Sequence, residues 1–164
     1  MKKSLIIVRH AHTQDPVPGQ DDHDRELTAE GKIAAKKSAE WLKEQGTVPK
    51  KIVASSAKRT QATAAAFAEV LLGNSGSFED ESVLFRASEN DLLDFIHTNF
   101  HQEDSILIVG HNPTATQFSI RMGATSISYL PPASVVILSF EIENWQELPF
   151  HSGKLVAKHL PDEA

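Results

Sequence analysis

Short apolar runs rich in β-branched residues alternate along this chain with stretches of helical periodicity, and that alternation limits the possible folds more than any other feature. The runs that predict strands are residues 5–8, 51–54, 82–85 and 105–109. Apolar residues repeat at helical spacing in residues 28–45, 57–72, 89–100 and 113–122, which predicts a helix after each strand. Successive strand–helix–strand units favour a parallel sheet covered by helices on both faces.

Two later apolar runs extend this prediction. Residues 134–140 and 154–160 are expected to form a final pair of antiparallel strands, which makes the sheet mixed. The predicted fold class is therefore α/β, a three-layer sandwich around a mainly parallel, mixed central sheet. A length of 164 residues fits one domain, so we expect residues 1–164 to form a single domain.

Local signals indicate how the helices begin and which side they bury. Thr28 is expected to cap the first helix, and Ser55 or Ser56 the second, because a side-chain hydroxyl can accept from the free N–H groups of a first turn. Pro113 is expected at the first position of the fourth helix, where its missing N–H needs no partner. The inner face of the first helix is expected to carry Leu27, Ala34, Ser38, Trp41 and Leu42.

Composition excludes several classes of function. The chain has no cysteine, which rules out disulfides and cysteine metal sites. With 16 Lys and Arg against 22 Asp and Glu, its net charge of −6 disfavours nucleic-acid and anionic-membrane partners, which need a basic surface. No apolar run reaches the roughly 18 residues of a membrane span, and the first run is too short for a signal peptide. We therefore expect a cytoplasmic protein without nucleic-acid or membrane partners.

The residues that follow the predicted strands carry the functional signal, because ligands of parallel sheets bind beyond the carboxyl ends of the strands. Each of the first four strands is followed by cations or histidines: Arg9 and His10, Arg59, Arg86, and His111. Taken singly, each has a structural explanation as a surface ion pair or a hydrogen-bonded histidine. Taken together, they predict a local positive pocket for a phosphoryl group in an acidic protein.

Two histidines and two arginines at one edge favour covalent phosphoryl transfer. A neutral imidazole is a good nucleophile when one ring nitrogen keeps its proton and the other faces phosphorus. Guanidinium groups offer paired donors to phosphate oxygens and stay charged. Such fixed donors stabilise the charge that spreads over the phosphoryl oxygens in the transition state. The second histidine is expected to be protonated and to complete the clamp.

Four segments of the chain resemble the histidine phosphatase (phosphoglycerate mutase-like) superfamily. They are LIIVRHAHT at 5–13, SSAKRTQAT at 55–63, VGHNP at 109–113 and DRELTAEG at 24–31. The resemblance spans about residues 4–122, and the short chain with its 24–31 segment looks most like the SixA-type phosphohistidine phosphatases. It implies a phosphoglycerate mutase-like fold, His10 as the nucleophile, and a phosphate pocket of Arg9, Arg59 and His111. It also implies that neither a metal nor a cofactor is needed.

Departures from the family pattern refine the expected substrate. Ala11 and His12 stand where the mutase branch has Gly and Glu, which disfavours a sugar-phosphate mutase. Asn112 follows His111 in place of the Asp that serves as the acid in the acid-phosphatase branch. Glu89 is the candidate for a mutase-like proton donor, with helix capping as its alternative role. A missing acid suits a phosphoramidate, whose leaving imidazole can carry its own proton.

The resemblance also implies substrate contacts outside this pocket. Thr13 can donate its hydroxyl to phosphate, or cap a turn. Arg25 can line the pocket mouth, or make ion pairs within its loop. With Glu89, these residues form the predicted substrate-binding set.

Other functions stay open from the sequence alone. The favoured function is a SixA-like phosphatase that acts on a phosphorylated protein, with a small phosphate ester as the alternative substrate. A binding module for phosphorylated ligands, without turnover, is an alternative of another class. A zinc hydrolase holding metal on His10, His12, His111 and Asp15 is disfavoured, because the barrel that carries such a site needs about 250 residues.

Overall fold

The computed structural model describes residues 2–73 and 77–161, which contain a six-stranded sheet. Its strands are β1 (Lys2–Arg9), β2 (Lys51–Ser55), β3 (Glu79–Glu81), β4 (Ser105–Gly110), β5 (Val135–Glu141) and β6 (Lys154–His159). The α-helices are α1 (Ala29–Glu44), α2 (Lys58–Leu72), α3 (Glu89–Asn99) and α4 (Thr114–Met122). Short 3₁₀ helices cover Asp22–Asp24, Ser82–Leu84 and Trp145–Glu147. No helix of the described residues is long and apolar enough to cross a bilayer.

The strand order β3-β2-β4-β1-β5-β6 explains why the sheet is mixed. β4 pairs with β1 in parallel, and β2 and β3 continue in parallel beyond β4. On the other side, β5 runs antiparallel to β1, and β6 runs antiparallel to β5. The predicted α/β class with a mainly parallel, mixed sheet is confirmed, as is the antiparallel pairing of the last two strands.

Strand β1 is held by packing on both of its faces. Alternate side chains of a strand point to opposite sides of the sheet. Leu5 and Ile7 therefore enter the core shared with α3 and α4, whereas Ile6 and Val8 enter the core shared with α1 and α2. All four side chains are buried, and each such burial contributes about 1.5–3 kcal/mol. This packing fixes the carboxyl end of β1, where the candidate site begins.

The predicted third strand at 82–85 is wrong. The strand β3 lies earlier, at Glu79–Glu81, and residues Ser82–Leu84 form a 3₁₀ turn. β3 is a short edge strand whose acidic side chains face solvent, so it lacks the apolar pattern that marks a buried strand. In the turn after it, Val83 is exposed while Leu84 is buried. The predicted turn at 73–77 falls largely on residues 74–76, which lie outside the described residues.

Helix starts follow the predictions only in part. Thr28 accepts a hydrogen bond from the Gly31 N–H at 2.9 Å, as expected of a cap. Neither serine caps α2, because Ala57 occupies the cap position and contributes no side-chain bond. Pro113 is the cap residue of α4 and precedes the first helical position, so its expected place is wrong by one residue.

The expected inner face of α1 is confirmed in part. Leu27, Ser38 and Leu42 are buried as expected, but Trp41 is only half-buried, and Ala35 and Ala39 are fully buried in addition. The small residues let α1 lie close against the sheet and α2, while the indole of Trp41 stacks on His159 with ring centroids 5.3 Å apart.

Candidate active site

The imidazoles of His10 and His111 meet because β1 and β4 are adjacent parallel strands. The register pairs Arg9 with Gly110, and the His10 N–H donates to the Gly110 carbonyl at 3.1 Å. The next residues along the two strands are therefore neighbours as well. The ring centroids of His10 and His111 lie 5.4 Å apart. With Arg9 and Arg59, they form what we call the Arg–His cluster.

The backbone selects the tautomer of His10. Its Nδ1 lies 2.8 Å from the Ala11 carbonyl oxygen, which can only accept, so the proton resides on Nδ1. The Ala11 N–H in turn donates to the Thr63 hydroxyl at 3.1 Å, which anchors this stretch of backbone to α2. In the neutral ring, Nε2 then carries an unprotonated lone pair, as a nucleophile requires.

Burial keeps His10 neutral. The pKa of His10 is lowered to about 3, chiefly by burial; the hydrogen bond to the Ala11 carbonyl opposes this, and the positive surroundings of His111, Arg59 and Arg9 add to it. The ring is therefore uncharged near neutral pH. Arg9 and Arg59 both contribute positive charge to the surroundings of this ring.

His111 is tied to a side chain rather than to backbone. Its Nε2 lies 2.5 Å from the Ser55 hydroxyl oxygen, and that oxygen lies 2.8 Å from the Thr60 hydroxyl. Burial, followed by the charge of Arg59, lowers the pKa of His111 to about 4. The protonated second histidine was expected in the clamp around a phosphoryl group, so it stays a prediction. An anion placed between the guanidinium groups would raise the pKa again, because opposite charge favours the imidazolium.

Arg59 is buried and bound to a loop. It lies in the first turn of α2 and is only 7% exposed. Its Nη1 donates to the Asp22 carbonyl at 2.6 Å and its Nη2 to the Asp22 carboxylate at 2.9 Å. Sequence reasoning missed Asp22; its spacing of three residues from Arg25 was the available signal.

Asp22 also connects the cluster to two predicted substrate-binding residues. Its other carboxylate oxygen accepts from Arg25 Nη1 at 3.1 Å, and Arg25 Nη2 donates to the Thr13 hydroxyl at 2.8 Å. Burial by itself would raise the pKa of Asp22, but hydrogen bonds from Arg25 and Arg59 outweigh it and hold the pKa below its ordinary value. Asp22 is thus a carboxylate at neutral pH. Arg25 and Thr13 reach the cluster through Asp22.

Arg9 is oriented by the segment before β5. Its Nη1 donates to the Tyr129 hydroxyl at 2.8 Å and to the Leu130 carbonyl at 2.9 Å. Asn112 holds that segment, because its Nδ2 donates to the same Leu130 carbonyl at 2.9 Å and its Oδ1 accepts from the Thr116 hydroxyl at 2.8 Å. Asn112 thus supports the cluster structurally where the acid-phosphatase branch has its acid. Tyr129 was also missed, since only tertiary packing brings it to Arg9.

Two buried polar atoms of the cluster have no hydrogen-bond partner among the described residues. They are Nε of Arg9 and Nδ1 of His111. Leaving such an atom unpaired costs about 1–3 kcal/mol. Two of them in one cluster, both on groups that bind oxyanions well, indicate a polar ligand at this place.

Phe85 forms an aromatic wall beside the cluster. Its ring meets His111 edge to face with centroids 5.7 Å apart, and the Arg59 guanidinium carbon lies 6.0 Å from its centroid. On another side it meets His23 at 4.9 Å, and the Arg86 guanidinium carbon lies 5.3 Å from its centroid. Sequence reasoning missed Phe85 as a site residue, because it assigned Phe85 to a strand.

Glu89 lies at the start of α3, and its partner is on α4. Its carboxylate accepts from Arg121 at 3.1 Å, and the Arg121 guanidinium carbon lies 3.8 Å from the centroid of Phe150. Ser88 caps α3 by accepting from the Asp91 N–H, so the alternative capping role of Glu89 is wrong. Its substrate contact stays a prediction, because the observed ion pair ties Glu89 to α4.

The zinc alternative requires His12 and Asp15 to join His10 and His111. Across 2–73 and 77–161, no group of three or more His, Asp or Glu side chains is arranged to hold a metal ion. That ligand set is therefore not assembled in this part of the chain.

Comparison with known proteins finds a family match over part of the chain and a shared fold over nearly all of it. Residues 5–75 match the sequence profile of the histidine phosphatase superfamily (branch 1). An uncharacterised protein of Mycobacterium leprae (strain TN) is 27% identical over 168 residues, covering 94% of this chain and 99% of that protein. The matched profile includes Arg9, His10 and Arg59, whereas His111 lies beyond it and enters the cluster through the geometry.

Two solved structures share the fold over nearly the whole chain. A protein assigned as the phosphohistidine phosphatase SixA from Nakamurella multipartitia superposes with a TM-score of 0.84 at 22% identity, covering 99% of this chain and 98% of that one. The protein histidine phosphatase SixA, solved as a tungstate complex, superposes with a TM-score of 0.78 at 16% identity, covering 96% and 97%. At these identities the likeness establishes the fold.

Proposed function

We propose that this chain is a phosphatase of the histidine phosphatase superfamily that works through a phosphohistidine on His10, because residues 5–75 match the model of that family. The observation that carries the proposal is the state of His10. The Ala11 carbonyl holds the proton on Nδ1, and burial keeps the ring neutral, so Nε2 is a free nucleophile. A neighbouring imidazole and two guanidinium groups supply the donors that a phosphoryl group needs.

The first step transfers the phosphoryl group to the enzyme. Nε2 of His10 attacks phosphorus, the P–Nε2 bond forms, and the bond from phosphorus to the leaving group breaks with its electron pair. Arg9 and Arg59 hold the phosphoryl oxygens, and their fixed charge stabilises the transition state. For this, the phosphoryl oxygens take over the Arg59 donors that Asp22 occupies.

The second step releases phosphate. Water attacks phosphorus, the P–Nε2 bond breaks, and the electron pair returns to Nε2 while the water proton leaves to solvent. His10 regains the neutral form with its proton on Nδ1. All of these groups belong to the protein or to solvent, so we expect turnover without a metal or a cofactor.

The proposed physiological substrate is a phosphohistidine protein. The carboxylates around the site support it: Asp22 is ionised between two arginines, and Glu89 is paired with Arg121, so neither is placed as a strong acid. An imidazole leaving group carries its own proton and needs no such acid, whereas an alkoxide needs one. A small phosphate ester is the alternative substrate. We place the reaction in the cytoplasm.

Turnover of a matched set of phosphorylated compounds tests the proposal. We expect hydrolysis of a phosphohistidine protein to exceed that of sugar phosphates, and to persist with a chelator present. Acid-sensitive, base-stable label on the wild-type protein after rapid quenching is expected for phosphohistidine. Faster hydrolysis of sugar phosphates favours the small-molecule alternative. Loss of turnover with chelator favours the metal enzyme, and phosphate binding without turnover favours the binding module.

A further inference from the structure

An apolar cavity lies next to the Arg–His cluster. It has a volume of about 250 Å³, and its walls come from the 3₁₀ turn before α3, from α3 itself, from the ends of β1 and β4, and from the start of α4. The wall is mostly aliphatic, with contributions from Ile7, Leu84, Leu92, Ile108 and Ala115. This cavity is separate from the guanidinium groups of Arg9 and Arg59, which do not line it.

Two residues belong to both the cavity and the site. His111 lines the cavity, and its ring lies 5.4 Å from that of His10. Phe85 lines it too and stands edge-on to His111. A group bonded to a phosphoryl group at the cluster would therefore lie beside the wall that His111 and Phe85 form. The unpartnered Nδ1 of His111 lies on this shared wall residue.

The size and chemistry of the cavity select what can enter. A dry apolar cavity of about 150 Å³ is known to bind benzene, so about 250 Å³ has room for a substituted ring. A polyhydroxylated sugar would lose the hydration of those hydroxyl groups that face the aliphatic wall, at a cost of about 1–3 kcal/mol for each one left without a partner. Arg86 also lines the cavity, and its side chain is exposed.

We propose that this cavity is the leaving-group pocket, and that the preferred substrates carry the phosphoryl group on a flat unsaturated ring. This inference rests on the proposed phosphatase function and narrows its substrate class. The ring has two chemical sources, a phenol-type ester and an N-phosphorylated imidazole. The atom that bridges ring and phosphorus sits beside His111, while the ring packs between Phe85 and the aliphatic wall.

Filling the cavity tests the inference. Ala87 is half-buried on its wall, so Ala87→Leu narrows the space without changing a charged group. The substrates are phenyl phosphate, free phosphohistidine, and two compounds without a ring, ethyl phosphate and phosphoramidate. We expect kcat/KM for the ring substrates, relative to kcat/KM for the ringless substrates, to fall about tenfold in Ala87→Leu. A mismatch of one methylene group in a fitted apolar pocket has an effect of about this size.

Val48→Leu is a matched control. Val48 is exposed and lies next to the start of β4, at the amino ends of the strands and away from the site. It is expected to leave the ratio unchanged. Leu92→Ala widens the cavity, so kcat/KM for naphthyl phosphate relative to phenyl phosphate should rise about threefold or more. This second variant gives the answer if Ala87→Leu does not fold.

The outcomes separate the pocket from the activity. A ratio that falls for phosphohistidine alone identifies the ring as imidazole, and one that falls for phenyl phosphate alone identifies it as aryl. Unchanged ratios in both Ala87→Leu and Leu92→Ala overturn the pocket while leaving the phosphatase intact. If the wild-type protein hydrolyses none of the substrates, the proposed function fails, and this inference fails with it.

Discussion

The ends of β1 and β4 each deliver an imidazole to the same place, but they hold it in different ways. His10 at the end of β1 donates to a main-chain carbonyl, a partner that fixes the tautomer. His111 at the end of β4 meets the Ser55 hydroxyl, a partner that can donate or accept. A fixed tautomer suits a nucleophile, whereas an adjustable partner suits a ring whose charge changes when an anion binds.

The same contrast separates the two arginines. Arg9 is held by neutral groups, the Tyr129 hydroxyl and the Leu130 carbonyl, so its charge stays available to a ligand. Arg59 is held by the carboxylate of Asp22, which competes with a phosphoryl group for the same donors. Under the proposed function, His10 and Arg9 keep a constant state, whereas the surroundings of His111 and Arg59 would change when a phosphoryl group binds.

The largest expected loss of activity comes from replacing the proposed nucleophile, His10, and it distinguishes His10 from His111. His10→Ala should lower kcat/KM by roughly 10⁴-fold or more, because the proposed mechanism uses His10 as the nucleophile. His111→Ala should slow the reaction yet still allow label from phosphate to be trapped on His10. Quenched labelling of the two variants measures this difference. Wild-type labelling of His10→Ala would contradict the assignment of the nucleophile.

The next effect concerns the buried guanidinium. Arg59→Ala should raise the barrier by about 2–4 kcal/mol and weaken inhibition by inorganic phosphate, since a buried charged donor pair is lost. Lys58→Ala, one residue earlier on the same helical turn and exposed, is the control. Steady-state kinetics with phosphate as inhibitor give both quantities. If Arg59→Ala binds phosphate as the wild type does, Arg59 does not hold the phosphoryl group.

The low pKa values of the two histidines predict a loss of stability in mild acid. Their pKa values are about 3 for His10 and about 4 for His111 in the folded protein, against 6.5 when unfolded. Below about pH 6.5 the unfolded chain takes up these protons and the folded protein does not, so the free energy of unfolding falls as the pH falls. At about pH 5 we expect a loss of roughly 1–2 kcal/mol for each histidine.

Urea unfolding at about pH 7 and about pH 5 measures this loss. The double variant His10→Gln, His111→Gln should lose much less stability between these two conditions. An equal loss in the wild type and the double variant would show that other groups cause the acid sensitivity.

A smaller effect tests the competition at Arg59. Asp22→Asn removes the charge that competes for its donors, so inorganic phosphate should bind about fivefold more tightly. Asp24→Asn is the matched control, because Asp24 lies on the same 3₁₀ turn and its ion pair is with His23. Calorimetric titration measures the affinity of each variant for phosphate. Weaker binding by Asp22→Asn would mean that Asp22 mainly positions Arg59.

The sequence predicts those parts of the fold and of the candidate site that depend on residues close together in the chain. The positions of His10 and His111 followed from the sequence, because each comes after a buried strand and parallel strands end at one edge. Thr28 was recognisable as a helix cap because its hydrogen-bond partner, Gly31, is only three residues away in the chain. Elements of this kind are decided by neighbours in the chain.

The rest depended on contacts between distant segments. Asp22 reaches Arg59 across 37 residues, and Tyr129 reaches Arg9 across 120, so no local pattern marks either contact. Phe85 was assigned to a strand because its segment is apolar, although the edge strand lies before it in an acidic stretch. Ser55 looked like a helix cap, but its hydroxyl is used by His111 instead.

The smallest expected effect sharpens the difference between the two imidazoles. Ser55→Ala removes the hydroxyl beside Nε2 of His111, so this ring loses its orientation while His10 keeps its carbonyl partner. We expect kcat to fall about threefold with KM unchanged, because the hydroxyl acts through His111 and does not touch the phosphoryl group. Ser56→Ala is the control, since the Ser56 hydroxyl bonds His23 instead. A rise in KM with kcat unchanged would place Ser55 among the groups that bind substrate, and would remove the distinction between a fixed and an adjustable histidine.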